Sequence, residues 1–262
     1  MSQNVLTANG EEIPLTYFRA HLHDNAEGVL IYRTELRILL ADREVPADAM
    51  NGIAFDLPVE VMAKEGKVRG LLLKLDPADL GQVSIILLQQ TDNPRESLPL
   101  ETFTSSKKDT IKQFAVTGGI VSGTIEHEGD GDSTFASLPE ISYSISFKAP
   151  LSHEPAITAD LKGKAAQDSL LAKIVYKKGE ALEKGDIEAL KALTSEQANR
   201  RNEPFLKDQR FIAGARQLGA EMKKSIKSIR RAVERGDSAT LLFEDNISAT
   251  FVREGNEWKS DN

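Results

Sequence analysis

The stretch Ile141-Ser142-Tyr143-Ser144-Ile145-Ser146-Phe147 constrains this chain more than any other part of it. Successive side chains of an extended strand point to opposite faces, so this alternation puts four large apolar groups on one face and three hydroxyls on the other. Such a strand needs a core on one side and neighbours on both edges. Other β-prone runs precede it at Val29 to Tyr32, Leu36 to Leu40, Val68 to Leu75, Val83 to Gln89 and Ile120 to Glu126, parted by Gly, Pro, Asn and Asp clusters. The spacing predicts an all-β antiparallel sandwich over residues 1–150. Two short helical connectors interrupt it, one opened by Pro58 and stopped by Gly66, the other a turn from Pro46 to Met50.

Residues 151–164 are polar, without sustained period, and read as a linker. Beyond them the period changes to that of a helix at Leu171, Ile174, Val175, Ala181 and Leu182, until Gly185 stops it and Asp186 caps a second short helix. Thr194 and Gln197 have capping-box spacing, and Pro204 suits the first turn of a longer helix bearing Phe205, Phe211, Ala215, Leu218 and Met222. Runs at Ile229 to Glu234, Ala239 to Glu244, Ile247 to Arg253 and Glu257 to Lys259 then predict a meander with turns at Arg235-Gly236-Asp237, Asp245-Asn246 and Glu254-Gly255-Asn256. Residues 165–262 are thus expected as an α+β domain.

The helix end Ala181-Leu182-Glu183-Lys184-Gly185-Asp186, its continuation Ile187-Glu188-Ala189-Leu190 and the closing Gly255-Asn256-Glu257-Trp258-Lys259 carry a resemblance. Over roughly 166–262 the chain resembles the cone-shaped fold shared by nuclear transport factor two, SnoaL-type cyclases and ketosteroid isomerases, and within it small bacterial members of unknown function. The resemblance implies helices followed by a curved antiparallel meander. It implies little about activity, because that fold hosts enzymes, carriers and interaction modules.

Charge narrows the classes of partner. Residues 1–150 carry 13 Lys+Arg against 22 Asp+Glu, and the remainder 20 against 18, so the front half is acidic. A nucleic-acid binder needs a basic face, which argues against nucleic acid as a partner. No apolar run reaches the length of about 20 residues that spans a bilayer. The absence of cysteine removes disulfides, thiol catalysis and thiolate metal sites. Residues Gln3 to Gly10 read as the polar start of a mature exported protein, which points to the periplasm or cell envelope with the signal segment absent. Cytoplasm is the alternative.

No motif dictates chemistry. Catalytic relatives of the cone fold commonly pair an Asp with a His, Tyr or second Asp, yet His21, His23, His127 and His153 all lie before the cone. Within it Asp186 is explained as a cap, Asp208 as a solvated helix residue and Tyr176 as packing. His21-x-His23-Asp24 has zinc-like spacing, but two histidines on a half-exposed edge strand account for it. Glu126 to Asp132 packs four carboxylates into a loop that lacks the order of a calcium site. No cofactor or metal is expected. Arg235-Gly236-Asp237 matches an adhesion tripeptide and reads as a hairpin turn.

The expected function is therefore non-catalytic binding, of a small hydrophobic ligand or a protein partner, through a pocket or docking surface made by Tyr176, Phe205, Phe211, Met222 and Trp258. Lys223, Lys227 and Arg230, within a cluster that includes Lys224 and Arg231, are candidates for holding an anion. The alternative is an isomerase or cyclase acting on a small hydrophobic substrate inside the cone.

Overall fold

The computed structural model describes residues 4–24, 34–51, 57–90, 101–104, 111–127, 141–206, 209–244 and 247–261. The chain divides into two compact units, 1–154 and 155–262. The first contains strands β1 (Val5–Ala8), β2 (Glu11–Pro14), β3 (Tyr17–His23) and β4 (Glu35–Ala41), helix α1 (Pro58–Lys64), and strands β5 (Gly70–Asp76), β6 (Asp79–Leu88), β7 (Glu101–Thr104), β8 (Lys112–Thr117), β9 (Ile120–His127) and β10 (Ile141–His153).

Strand β10 organises this unit. Its first part lies between β1 and β9, both antiparallel, with Ser144 opposite Val5 on one edge and Glu126 on the other. Its last three residues change partner and pair in parallel with β3, Leu151 opposite Ala20 and Ser152 opposite His21. The described strands thereby join into one curled sheet in the order β2-β1-β10-β3-β4-β5-β6-β7, with β9 and β8 continuing from the other edge of β10. One core lies inside the curl. It takes Leu6, Ile13, Val121, Ile125, Tyr143, Ile145 and Phe147 from one end of the sheet, and Leu36, Ile38, Leu40, Leu71, Leu73 and Ile85 from the other. The parallel β3–β10 pair makes this sheet mixed, where the sequence led to an all-antiparallel arrangement. A parallel pairing between segments more than 130 residues apart leaves no local turn signal.

The outer face of β4, β5 and β6 is also covered. Leu39, Ala41, Leu72, Ile86 and Leu88 pack there against Val45, Met50, Leu57, Val59, Ala63 and Val68. Burial on both faces explains why β4 reads as a continuous apolar run rather than an alternation. Helix α1 begins at Pro58 and ends before Gly66, as expected, while Pro46 to Met50 forms turns. The run at Val29 to Tyr32 lies outside the described residues. The first two strands, which include most of the polar start Gln3 to Gly10, form a hairpin through Asn9 (φ 51°) and Gly10 (φ 80°). Asn-Gly suits such a turn because both residues tolerate the left-handed region.

The second unit contains β11 (Ala159–Lys162), α2 (Lys164–Gln167), α3 (Leu170–Lys184), α4 (Ile187–Ala192), α5 (Glu196–Leu206), α6 (Gln209–Ser225), a 3₁₀ turn (Ile226–Ser228), and β12 (Ile229–Arg235), β13 (Ser238–Phe243), β14 (Ser248–Glu254) and β15 (Glu257–Ser260). Its strands form a five-stranded antiparallel sheet in sequence order. Residues 151–164, expected as a linker, hold the end of β10 and all of β11. The four residues of β11 alternate in exposure, a signal too short to stand out in a polar segment.

Gly185 ends α3 at φ 68°, and Asp186 caps α4 by accepting from Ala189 N at 2.9 Å. The cap of α5 is Ser195, whose hydroxyl accepts from Ala198 N, rather than Thr194. Pro204 falls near the end of α5, not in the first turn of the longer helix. A proline close to a helix end removes few internal bonds, so the position is tolerated.

Helices α3 and α6 meet backbone to backbone. A Cβ added at Gly179 would lie 2.7 Å from the carbonyl oxygen of Gly219, and one added at Gly219 would be driven into the carbonyl of Gly179. Glycine inside a helix costs roughly 1 kcal/mol relative to alanine, so this contact explains two residues that propensity alone disfavours. Gly214, also in α6, has nothing within 4 Å of its added Cβ. Gly219→Ala should therefore lower the thermal midpoint of the second unit, whereas Gly214→Ala should raise stability by about 0.5–1 kcal/mol. Equal effects of the two substitutions in thermal unfolding would refute the close contact.

Candidate functional site

Two buried polar clusters stand out, one in each unit. In the first unit alternation places Ser152, His21, Arg37, Lys74 and Ser84 on one face and opposite one another across five neighbouring strands, a transverse row on the face that also carries the apolar cover. Burial of charge is costly unless it is paired, and the charged members of the row are paired. Arg37 Nε donates to Glu35 Oε1 at 2.7 Å and its Nη1 to the Met50 carbonyl at 2.5 Å. Lys74 Nζ donates to Glu60 Oε1 at 2.9 Å, while Glu60 Oε2 accepts from Leu57 N at 2.6 Å, which ties the start of α1 to the sheet.

At the other end of the row one carboxylate oxygen serves two histidines. Glu154 Oε1 lies 3.1 Å from His21 Nε2 and 2.7 Å from His23 Nδ1. His21 Nδ1 is 3.1 Å from Ser152 Oγ, which donates to the Ala20 carbonyl. His21 and His23 are each 1% exposed, and the Glu154 side chain 2%. Burial alone would raise the Glu154 carboxyl, but the hydrogen bonds and charge of His21 and His23 outweigh it and hold the group well below the usual carboxylate range. The stabilisation it supplies is present above the ordinary value of 4.5 and is lost as pH falls through the depressed one.

The histidines therefore do not sit on a half-exposed edge: β3 has neighbours on both sides and encloses them. Ser152 and Glu154 escaped sequence reading because only the parallel β3–β10 register brings them to the histidines. Among the described residues no group of three or more His, Asp or Glu side chains has the arrangement of a metal site. His127 stacks on Tyr143 with ring centroids 5.4 Å apart, and His153 is exposed. Of the acidic loop, Glu126 pairs with Lys112, and residues 128–132 lie outside the described residues.

In the second unit Lys178, near the middle of α3, donates to Ser260 Oγ at 2.7 Å. Ser260 also accepts from Ser195 N through its carbonyl and donates its own N–H to the Leu193 carbonyl, which fastens β15 to the α4–α5 connection. Asp261 Oδ1 accepts from Ser195 Oγ at 2.5 Å, and its carbonyl accepts from Arg201 Nη2 at 2.7 Å. Burial, with the nearby Arg201 charge, pushes Lys178 down to about 8, and burial pushes Asp261 up. Lysine on an apolar helix stripe gives no sequence signal of this kind.

The residues expected to make a pocket or docking surface separate. Trp258 is buried in β15 among Leu171, Ile174 and Phe251, with the Arg253 guanidinium 4.4 Å from its ring centre. Met222 packs against that core and Phe211 against the smaller one of Ala181, Leu182, Leu190 and Ala215. Tyr176 and Phe205 are 44% and 51% exposed. Lys223 pairs with Glu183 at 2.5 Å and lies over the Tyr176 ring, while Lys227 and Arg230 are exposed. Asp208 lies outside the described residues. No helix among them is long and apolar enough to cross a membrane. No family model, curated protein or solved structure matches this chain.

Lys178 yields a signed pH dependence. Its folded form binds the proton less tightly than the unfolded chain, so stability at this site rises as pH increases from about 8 towards 10.5 and is flat below about 8. Denaturant unfolding of the full chain should show this rise, and Lys178→Met should abolish it and stabilise the second unit at neutral pH by about 1–3 kcal/mol. A variant that retains the rise would assign it to another group.

Proposed function

We propose that the protein is a non-catalytic binding protein whose second unit docks a hydrophobic ligand or protein partner on its helical surface. The observation that carries this reading is the exposure of Tyr176 on α3 and Phe205 on α5, at 44% and 51%, with Leu170 and Leu218 also exposed on helices. Aromatic side chains supply large contact area at low entropic cost, and binding surfaces are enriched in them. Trp258 and Met222, by contrast, spend their apolar surface on the core. The surface reading is thus better supported than a pocket lined by all five residues. The resemblance of 166–262 to the cone fold, with a β-sandwich before it, remains part of this proposal. So does residence in the bacterial cell envelope, which rests on the polar start of the sequence alone.

A second reading, an enzyme of the isomerase or cyclase kind, is favoured by one observation. Lys178 is a buried amine whose proton affinity is brought near neutrality, with the Ser260 hydroxyl at 2.7 Å. General acid–base chemistry needs a group of this kind, and also access for a substrate.

An anilinonaphthalene sulfonate dye separates the two. On the docking reading, the native protein enhances dye fluorescence and Tyr176→Ser/Phe205→Ser removes more than about half of that enhancement with an unchanged thermal midpoint. Trp258 emission stays constant on dye addition. Full enhancement in the double variant, or quenching of Trp258 in step with dye binding, would overturn the surface reading in favour of an internal cavity.

A further inference from the structure

The antiparallel register of the second sheet gathers several chain segments at one end of it. Lys162 at the close of β11 stands opposite Arg231 near the start of β12, and Gly163 N donates to the Arg230 carbonyl at 2.9 Å. Phe243 at the end of β13 faces Ile229, and its N–H donates to the Ile247 carbonyl at 2.9 Å, just before β14. Helix α2 is tied to the same place, because Gln167 Nε2 donates to the carbonyls of Lys227 and Ile229 at 2.9 and 3.2 Å, and Leu170 opens α3 shortly after it. Lys162, Lys164, Lys227 and Arg230 are all exposed at this end. Arg230 falls at an irregularity of β12 between Ile229 and Arg231, and such a bulge re-aims a side chain. Among the described residues the acids here are Asp160, which holds Arg231 and lies 3.9 Å from Lys162, Asp168, which pairs with Lys164, and Glu244, whose N–H donates to the Ser228 carbonyl. The Lys162 and Lys164 side chains are 73% and 79% exposed, and ion pairs so open to water are weak enough to yield to a stronger partner. Ile247 at 61% and Leu170 at 59%, the most exposed large apolar side chains among the described residues, lie at this same end.

We propose that this end of the second unit docks on an anionic lipid surface, with Lys162, Lys164, Lys227 and Arg230 meeting the headgroups while Leu170 and Ile247 enter the boundary with the acyl chains. Charge complementarity fixes the orientation. The chain as a whole carries −7, so an anionic bilayer repels most of the molecule and attracts this end. Stable attachment to a bilayer takes more than one signal, and cations placed beside exposed aliphatic side chains supply two. A soluble anion would engage the cations but leave Leu170 and Ile247 without a role. Single-stranded nucleic acid would engage them too, yet its bases bind by stacking on aromatic faces, which leucine and isoleucine lack. The surface does not depend on Tyr176 or Phe205, and docking of a hydrophobic partner there is a separate event.

Flotation of the full chain with lipid vesicles tests this. With vesicles of equal parts phosphatidylglycerol and phosphatidylcholine the protein should float at about 50 mM salt, and binding should fall at least about tenfold at about 500 mM salt or with phosphatidylcholine alone. Lys227→Glu/Arg230→Glu should weaken binding to the anionic vesicles by more than about tenfold, and Leu170→Ser/Ile247→Ser by about fivefold or more, both with unchanged thermal midpoints. At matched ionic strength, inorganic phosphate should displace no more protein than chloride does. No flotation at low salt, equal binding to both kinds of vesicle, or full binding by either variant would overturn the proposal. So would displacement by phosphate beyond that by chloride, which assigns the cations to a soluble anion, or a tighter complex with an oligonucleotide than with vesicles, which assigns them to nucleic acid. If a variant does not fold, the wild-type comparison of the two vesicle types, phosphate and oligonucleotide decides the matter.

Discussion

Backbone hydrogen bonding along β10 is the constraint on which residues 1–154 depend. A strand has two edges, and β10 pairs with β1 over Ile141 to Ser144, with β9 over Tyr143 to Pro150, and with β3 over its last three residues. Every strand of the sheet is reached by stepping outward from it. The apolar face of the same strand closes the core, since Tyr143, Ile145 and Phe147 meet Leu and Ile side chains from the far end of the curl. Pairing and burial are thus satisfied by one set of residues, and its polar continuation at Ser152 and Glu154 supplies the partners of two enclosed histidines.

The second unit rests on a different economy. Helices α3 and α6 approach until their backbones touch at Gly179 and Gly219, a distance that larger residues forbid. Ala181 and Leu182 at the end of one helix and Ala215 on the other can then share a small core, while the earlier turns of α3 cover the sheet through Leu171, Ala172 and Val175. Lys178 lies between these duties, and its length lets the amine reach Ser260 at the end of β15. Helix packing and the fastening of the terminal strand are in this way coupled through one side chain.

Much of this was legible because it is local. The alternation at Ile141 to Phe147, the stop at Gly185, the cap at Asp186 and the terminal meander all depend on neighbours within a few residues, and all are found where their spacing put them. The candidate site was less so. Its two histidines were visible, but Glu154 is remote in sequence, and the enclosing of β3 by β10 has no short-range signature. Gly179 and Gly219 read as weak points of helices until their mutual contact is known. Asn9-Gly10 is a local hairpin signal within the segment whose polarity reads as the start of an exported protein.

The register of β1 has a consequence for how the chain is made. Val5 pairs with Ser144, so the first strand emerges from the ribosome long before the partner that will bury Leu6. At about 5–20 residues per second, the interval is roughly 7 to 30 seconds. Through that time the β1–β2 hairpin presents an unsatisfied edge and an uncovered leucine, and later strands can complete the curl only once β10 has been delivered. Vectorial synthesis therefore places completion of this sheet at the last strand of the unit rather than its first.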